Sequence, residues 1–120
     1  MAWNLSSDRP IFLQIVEHIE MDIISGVYQP GERLPAVREL ASCASVNPNT
    51  MQRALSELER TGLVHSQRTS GRFITEDIAM IEELKQQIAE EKINEFFEAM
   101  KRLGISKEET LRLIQQHTTI

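Results

Sequence analysis

One stretch of this sequence carries the residues best suited to hydrogen-bonding chemistry. Counting from Pro48 at roughly 100° per residue, Met51, Ala54, Leu55 and Leu58 fall on one side of a helix. Asn49, Arg53, Ser56 and Arg60 fall opposite, with Gln52 at the edge. Guanidinium forks, carboxamides and hydroxyls are the groups that hydrogen-bond base edges or hold phosphate oxygens. Every surface helix has a polar face, so these residues also suit plain exposure to water. The elements around the stretch decide between the two readings.

Other chemistry is thin. His18, His65 and His117 lie far apart without metal-ligand spacing. The carboxylates show no paired arrangement that suggests acid–base catalysis, and no glycine-rich phosphate loop is present. Cys43 is the one cysteine, which excludes an intrachain disulfide and points to a reducing compartment. Its place beside core positions of a short helix predicts a small buried residue rather than a redox sensor. These observations argue against an enzyme, a cofactor or a metal.

The surrounding elements follow from periodicity and punctuation. Ile11, Phe12, Ile15, Val16, Ile19 and Ile23 share one face of a helix over about 10–25, ended by Gly26. Gln29-Pro30-Gly31 is a turn, and Glu32-Arg33-Leu34 is a short extended stretch, because Leu34 precedes Pro35. A second helix covers about 36–43, with Val37, Leu40, Ala41 and Ala44 inward. Ala44-Ser45-Val46 is a tight break. Asn47 as cap and Pro48 in the first turn open the third helix, which runs to about Thr61 before Gly62. Residues 63–67 and 72–75 read as strands around the turn Thr69-Ser70-Gly71. A long helix follows from about Asp77 to Leu103. Ser106-Lys107-Glu108-Glu109 is a capping box opening a last helix over roughly 107–117.

This order is mainly α with a small β-hairpin wing. It predicts a winged helix-turn-helix domain over 1–76, then a two-helix segment over 77–120. A short helix, a tight turn and a capped third helix favour a base-reading face over a merely solvated one.

Charge first opposes that reading. The 120 residues carry a formal net charge of -5. From Glu32 to Arg72, however, six arginines (33, 38, 53, 60, 68, 72) face four glutamates (32, 39, 57, 59). From Asp77 onward there are nine acids against six bases. The acid excess is expected in the C-terminal part, leaving a local basic surface elsewhere. No apolar run approaches a membrane span, and the opening MAWNLSSDRPIF lacks the regions of a signal peptide. A cytoplasmic protein without membrane contact is expected.

Residues 10–74 resemble the N-terminal domain of the GntR family of bacterial regulators. The resemblance rests on Gly26 with Pro30-Gly31, Leu34-Pro35, Arg38-Glu39-Leu40-Ala41, Val46-Asn47-Pro48-Asn49-Thr50, Arg53-Ala54, Leu58-Glu59 and Gly62. The Pro-Ile-Phe opening and the VNPNT run are similar to the YtrA-like subfamily, whose C-terminal part is short and helical. The resemblance implies that Arg38 contacts DNA backbone. It implies that Asn47, Asn49, Thr50 and Arg53 lie in or beside the major groove, and that the turn near Gly71 approaches the minor groove. Gln52 and Ser56 join this set from the exposed face. Two departures stand out. Ala36 occupies the cap position where many relatives have serine, a loss of about 1 kcal/mol. The wing reads Arg68-Thr69-Ser70-Gly71-Arg72 rather than glycine-rich, so Arg68 and Arg72 become the candidate phosphate grips.

The long helix carries two apolar patches. Ile81, Leu84 and Ile88 form one, expected to pack on the winged-helix body. Ile93, Phe96, Phe97, Met100 and Leu103 form the second, rotated by roughly 120°. With Leu111 and Ile114 of the last helix, this second patch is expected to form a twofold dimer interface; simple packing of the two helices on each other is the alternative. The sequence therefore predicts a homodimeric repressor of a transporter-type operon, reading an inverted repeat in double-stranded DNA. A winged-helix module that binds partner proteins is the rival, and the acidity suits it. No effector is identifiable.

Overall fold

The computed structural model describes residues 3–119. They form α1 (Ile11–Ile24), α2 (Val37–Ala44), α3 (Pro48–Arg60), β1 (Val64–Gln67), β2 (Gly71–Ile74), α4 (Ile78–Arg102) and α5 (Lys107–Thr118). The chain divides into two compact units, one ending at Glu82 and one beginning at Glu83, so the division falls within α4.

In the first unit, α1 and α2 both pack on α3, and α3 leads into the hairpin. Ile15 and Ile19 of α1 meet Met51, Leu55 and Leu58 of α3 in a core that also buries Val64 and Ile74 from the two strands. The strands are antiparallel, with Val64 opposite Ile74 and Gln67 opposite Gly71. The extended stretch 32–34 runs against the other edge of β2. Arg33 pairs with Phe73, the Leu34 N–H donates to Arg72 O at 2.8 Å, and the Ile74 N–H donates to Glu32 O at 2.8 Å. This pairing satisfies the β2 edge that a lone hairpin would leave open. The unit is a winged helix-turn-helix.

Two local expectations change. Ile11 and Phe12, expected on the buried face of α1, are only half-buried, and that face is Ile15, Val16, Ile19 and Ile23. Cys43 is exposed rather than buried. The buried side of α2 is Leu40, Ala41 and Ala44, and steps of about 100° per residue turn Cys43 well away from it.

In the second unit, Ser106 caps α5 by accepting the Glu109 N–H at 3.1 Å, and the buried Thr110 hydroxyl donates to Ser106 O at 2.8 Å. The apolar side chains there are largely uncovered. Phe97 and Met100 are half-buried, while Ile93, Phe96, Leu103, Leu111, Leu113 and Ile114 are exposed. Packing of the two helices on each other thus does not bury the patch. Of the first patch, Ile81 belongs to the first unit and is buried, and Leu84 and Ile88 of the second unit are half-buried.

Candidate nucleic-acid interface

The turn between α2 and α3 sets the direction of α3. Ser45 takes a left-handed conformation (φ 58°), which stops α2. Its N–H donates to Ser42 O at 3.2 Å and the Val46 N–H donates to Ala41 O at 3.0 Å, which satisfies two of the carbonyls in the last turn of α2. Two residues later the Asn47 side chain accepts the Asn49 N–H at 2.7 Å, and Pro48 occupies the first turn of α3. Asn47 therefore spends its carbonyl on the cap and keeps its amide N–H groups for other partners. Ala36, at the start of α2, makes no such side-chain cap.

With one side of α3 forming the core, Asn49, Gln52, Arg53 and Ser56 are exposed and Thr50 is half-buried. Gln52 Nε2 lies 3.5 Å from Ser56 Oγ, one turn on. The Arg53 guanidinium lies over the Phe12 ring, 3.7 Å from its centroid. Asn49, Thr50, Arg53, Pro10, Ile11 and Phe12 line one open concavity of about 450 Å³. Arg38 is exposed on α2.

The arginines divide by whether their charge is already compensated. Arg60 hydrogen-bonds both Glu57 oxygens (2.7–3.1 Å), and the bond from Arg60 holds the Glu57 carboxyl below its ordinary pKa. Arg72 donates to Glu59 of α3, and Ser66 Oγ donates to the same Glu59 oxygen at 3.0 Å. Burial alone would raise the Glu59 carboxyl, but the bonds from Arg72 and Ser66 and the Arg72 charge outweigh it, and the net shift is downward. Glu59 thus ties both strands of the wing to α3. Arg33, Arg38, Arg53 and Arg68 make no ion pair among the described residues. These four leave uncompensated positive charge on the surface, the kind of charge that attracts phosphates.

The structure brings Asn49, Thr50 and Arg53 together at one concavity and sets Gln52 beside Ser56. It turns Arg72, expected as a phosphate grip, inward as a brace for the wing. It leaves Arg68 exposed at the wing turn. Gly71 closes that turn at φ +104°, and a Cβ there would sit 3.0 Å from Arg33 Nε. The Arg33 side chain therefore lies against the wing turn, a position the sequence reading missed. The signal was the extended stretch 32–34; its pairing with β2 was not legible.

Residues 12–74 match the model for bacterial regulatory proteins of the gntR family. The chain belongs to the GntR family. It is 43% identical over 115 residues to the uncharacterized HTH-type transcriptional regulator YhcF of Bacillus subtilis, covering 96% of this chain and 95% of that protein. The HTH-type transcriptional repressor YtrA of B. subtilis is 41% identical over 71 residues, covering 59% of this chain and 55% of that protein. Among solved structures, a GntR family transcriptional regulator from Listeria monocytogenes superposes with a TM-score of 0.85 at 39% identity, covering 93% of this chain and 98% of that one. The AraR DNA-binding domain in complex with operator ORX1 matches 62% of this chain and 92% of its own, with a TM-score of 0.54 at 28% identity. The protein is accordingly a DNA-binding transcription regulator of the GntR family, with YtrA-type relatives, and not an enzyme. Among the described residues, no helix is long and apolar enough to cross a membrane.

Proposed function

We propose that this GntR-family protein is a dimeric repressor that reads an inverted repeat in double-stranded DNA and controls a transporter-type operon in the cytoplasm. One observation carries the reading. The face of α3 opposite the core is exposed and polar, and its Arg53 makes no ion pair among the described residues. In this reading Asn49, Gln52, Arg53 and Ser56 meet base edges in the major groove. Asn47, capping α3, and Thr50 lie beside them. Arg38 holds a phosphate from α2. Arg68 and Gly71 bring the wing turn toward the minor groove, with Arg33 beside them and Arg72 holding the wing in place. The DNA-binding domain takes residues 1–76 and the dimerisation segment residues 77–120; Met1, Ala2 and Ile120 lie outside the described residues.

The dimer rests on apolar residues of the second unit: Ile93, Phe96, Leu103, Leu111 and Ile114, which are exposed, and Phe97 and Met100, which are half-buried. So many large apolar groups left exposed on one short unit mark an interaction surface, and a twofold partner is the economical way to cover a single face. Repression is supported by the repressors among the relatives, YtrA included.

Genomic footprinting with the full-length protein tests the proposal. The expected result is a set of protected sites built as inverted repeats, upstream of transporter genes, with binding that falls steeply as salt rises. Protection of single, unpaired half-sites would remove the dimeric reading. Absence of any salt-dependent binding would favour a protein-interaction module.

A further inference from the structure

We propose that Phe12 is a specificity-determining positioning residue, which holds the Arg53 side chain aimed for reading bases. The inference rests on the proposed α3 interface and assigns to α1 a part in it. Phe12 lies one turn before the buried face of α1 and is half-buried rather than in the core. Its ring lies under the Arg53 guanidinium at 3.7 Å. It lines the same concavity as Asn49 and Thr50. An aromatic ring left at the rim of a polar face, with a cation on it, serves that face more than the core.

The geometry suits a reader. Stacking uses the flat π surface of the guanidinium, whereas its N–H donors point outward in the plane. Arg53 can therefore stay on Phe12 and still present two parallel donors to a guanine edge. A free arginine must freeze its rotamers when it binds, and a pre-stacked one has less freedom left to lose. The stack also fixes the direction in which the fork leaves α3, and direction separates one base step from the next. A leucine or methionine at position 12 fills similar space but offers no π surface.

The test is a double-mutant cycle in the full chain. Affinity is measured for a duplex carrying the half-sites recovered by in vitro selection with the parent protein, and for a scrambled duplex of equal length. The readout is the ratio of the two affinities. Phe12→Leu should lower that ratio about three- to tenfold per subunit, and Phe12→Tyr, which keeps the ring, should restore it. In an Arg53→Ala background, Phe12→Leu should have no further effect. A parental ratio in Phe12→Leu, or an equal loss in both backgrounds, would overturn the proposal. If Arg53→Ala itself left the ratio unchanged, the interface reading at Arg53 would fail, and the proposal with it. Thermal melts check folding, and Phe12→Met replaces Phe12→Leu if the latter does not fold.

Discussion

Replacing Glu59 with glutamine should loosen the wing from α3, and the loss should depend on pH in a defined direction. Glu59 accepts hydrogen bonds from Arg72 on β2 and from Ser66 on β1. The Arg72 and Glu59 side chains are 20% and 30% exposed. A hydrogen bond to a charged group contributes about 1.5–3 kcal/mol when shielded from water, and a fully exposed ion pair about 0–1 kcal/mol. Partial exposure sets the Arg72–Glu59 coupling between these, at about 1–2 kcal/mol. Burial pushes the Glu59 carboxyl up, but the Arg72 and Ser66 bonds and the Arg72 charge together outweigh it and hold the carboxyl below its ordinary value. A carboxyl whose folded pKa is lowered contributes stability above its unfolded pKa of about 4.3. That contribution is lost as pH falls through the folded value. Urea denaturation of the parent, Glu59→Gln, Arg72→Met and the double variant gives the coupling at each pH. The expected coupling is about 1–2 kcal/mol near neutrality, shrinking as Glu59 becomes protonated. A coupling near zero at neutral pH, or one that grows as pH falls, would refute the brace.

Three further outcomes follow from single positions. Ala36→Ser supplies the missing side-chain cap of α2 and should stabilise the fold by about 1 kcal/mol in denaturant titration. Gly71→Ala forces a side chain onto a backbone at φ +104° and against Arg33; it should cost about 1–3 kcal/mol of stability, read as a lower denaturation midpoint. Phe96→Glu sets a charge on the exposed apolar face of α4. It should shift sedimentation from dimer toward monomer at micromolar concentration while the helical circular-dichroism signal is retained.

Much of the fold was legible because its boundaries are local. Asn47-Pro48 opens α3, Ser106 opens α5, and the alternation of Ile15, Val16, Ile19 and Ile23 with polar residues marks the inner face of α1. What was not legible depends on contacts between residues distant in sequence. Arg72 and Glu59 are thirteen positions apart, and nothing in either segment says that the arginine folds back instead of facing solvent. The stretch 32–34 was readable as extended, but its register against β2 is set by the folded core. Phe12 fitted an apolar stripe by spacing, and only the packed structure sets it at the rim under Arg53. The acid excess is also less confined than the sequence reading had it, since Glu17, Glu20 and Asp22 lie on α1. The basic potential of the interface therefore rests on a few uncompensated arginines rather than on a basic domain.

The exposed face of α3, with Arg38 beside it, is the surface proposed to meet operator DNA. A fluorescence-anisotropy titration of the selected operator, repeated over a range of salt concentrations, tests it most directly. Arg53→Ala should weaken specific binding by about 1–3 kcal/mol if it reads a guanine. Arg38→Ala should weaken binding to operator and scrambled duplex alike and reduce the salt slope by about one unit. Parental affinity and parental salt slope in both variants would contradict the account.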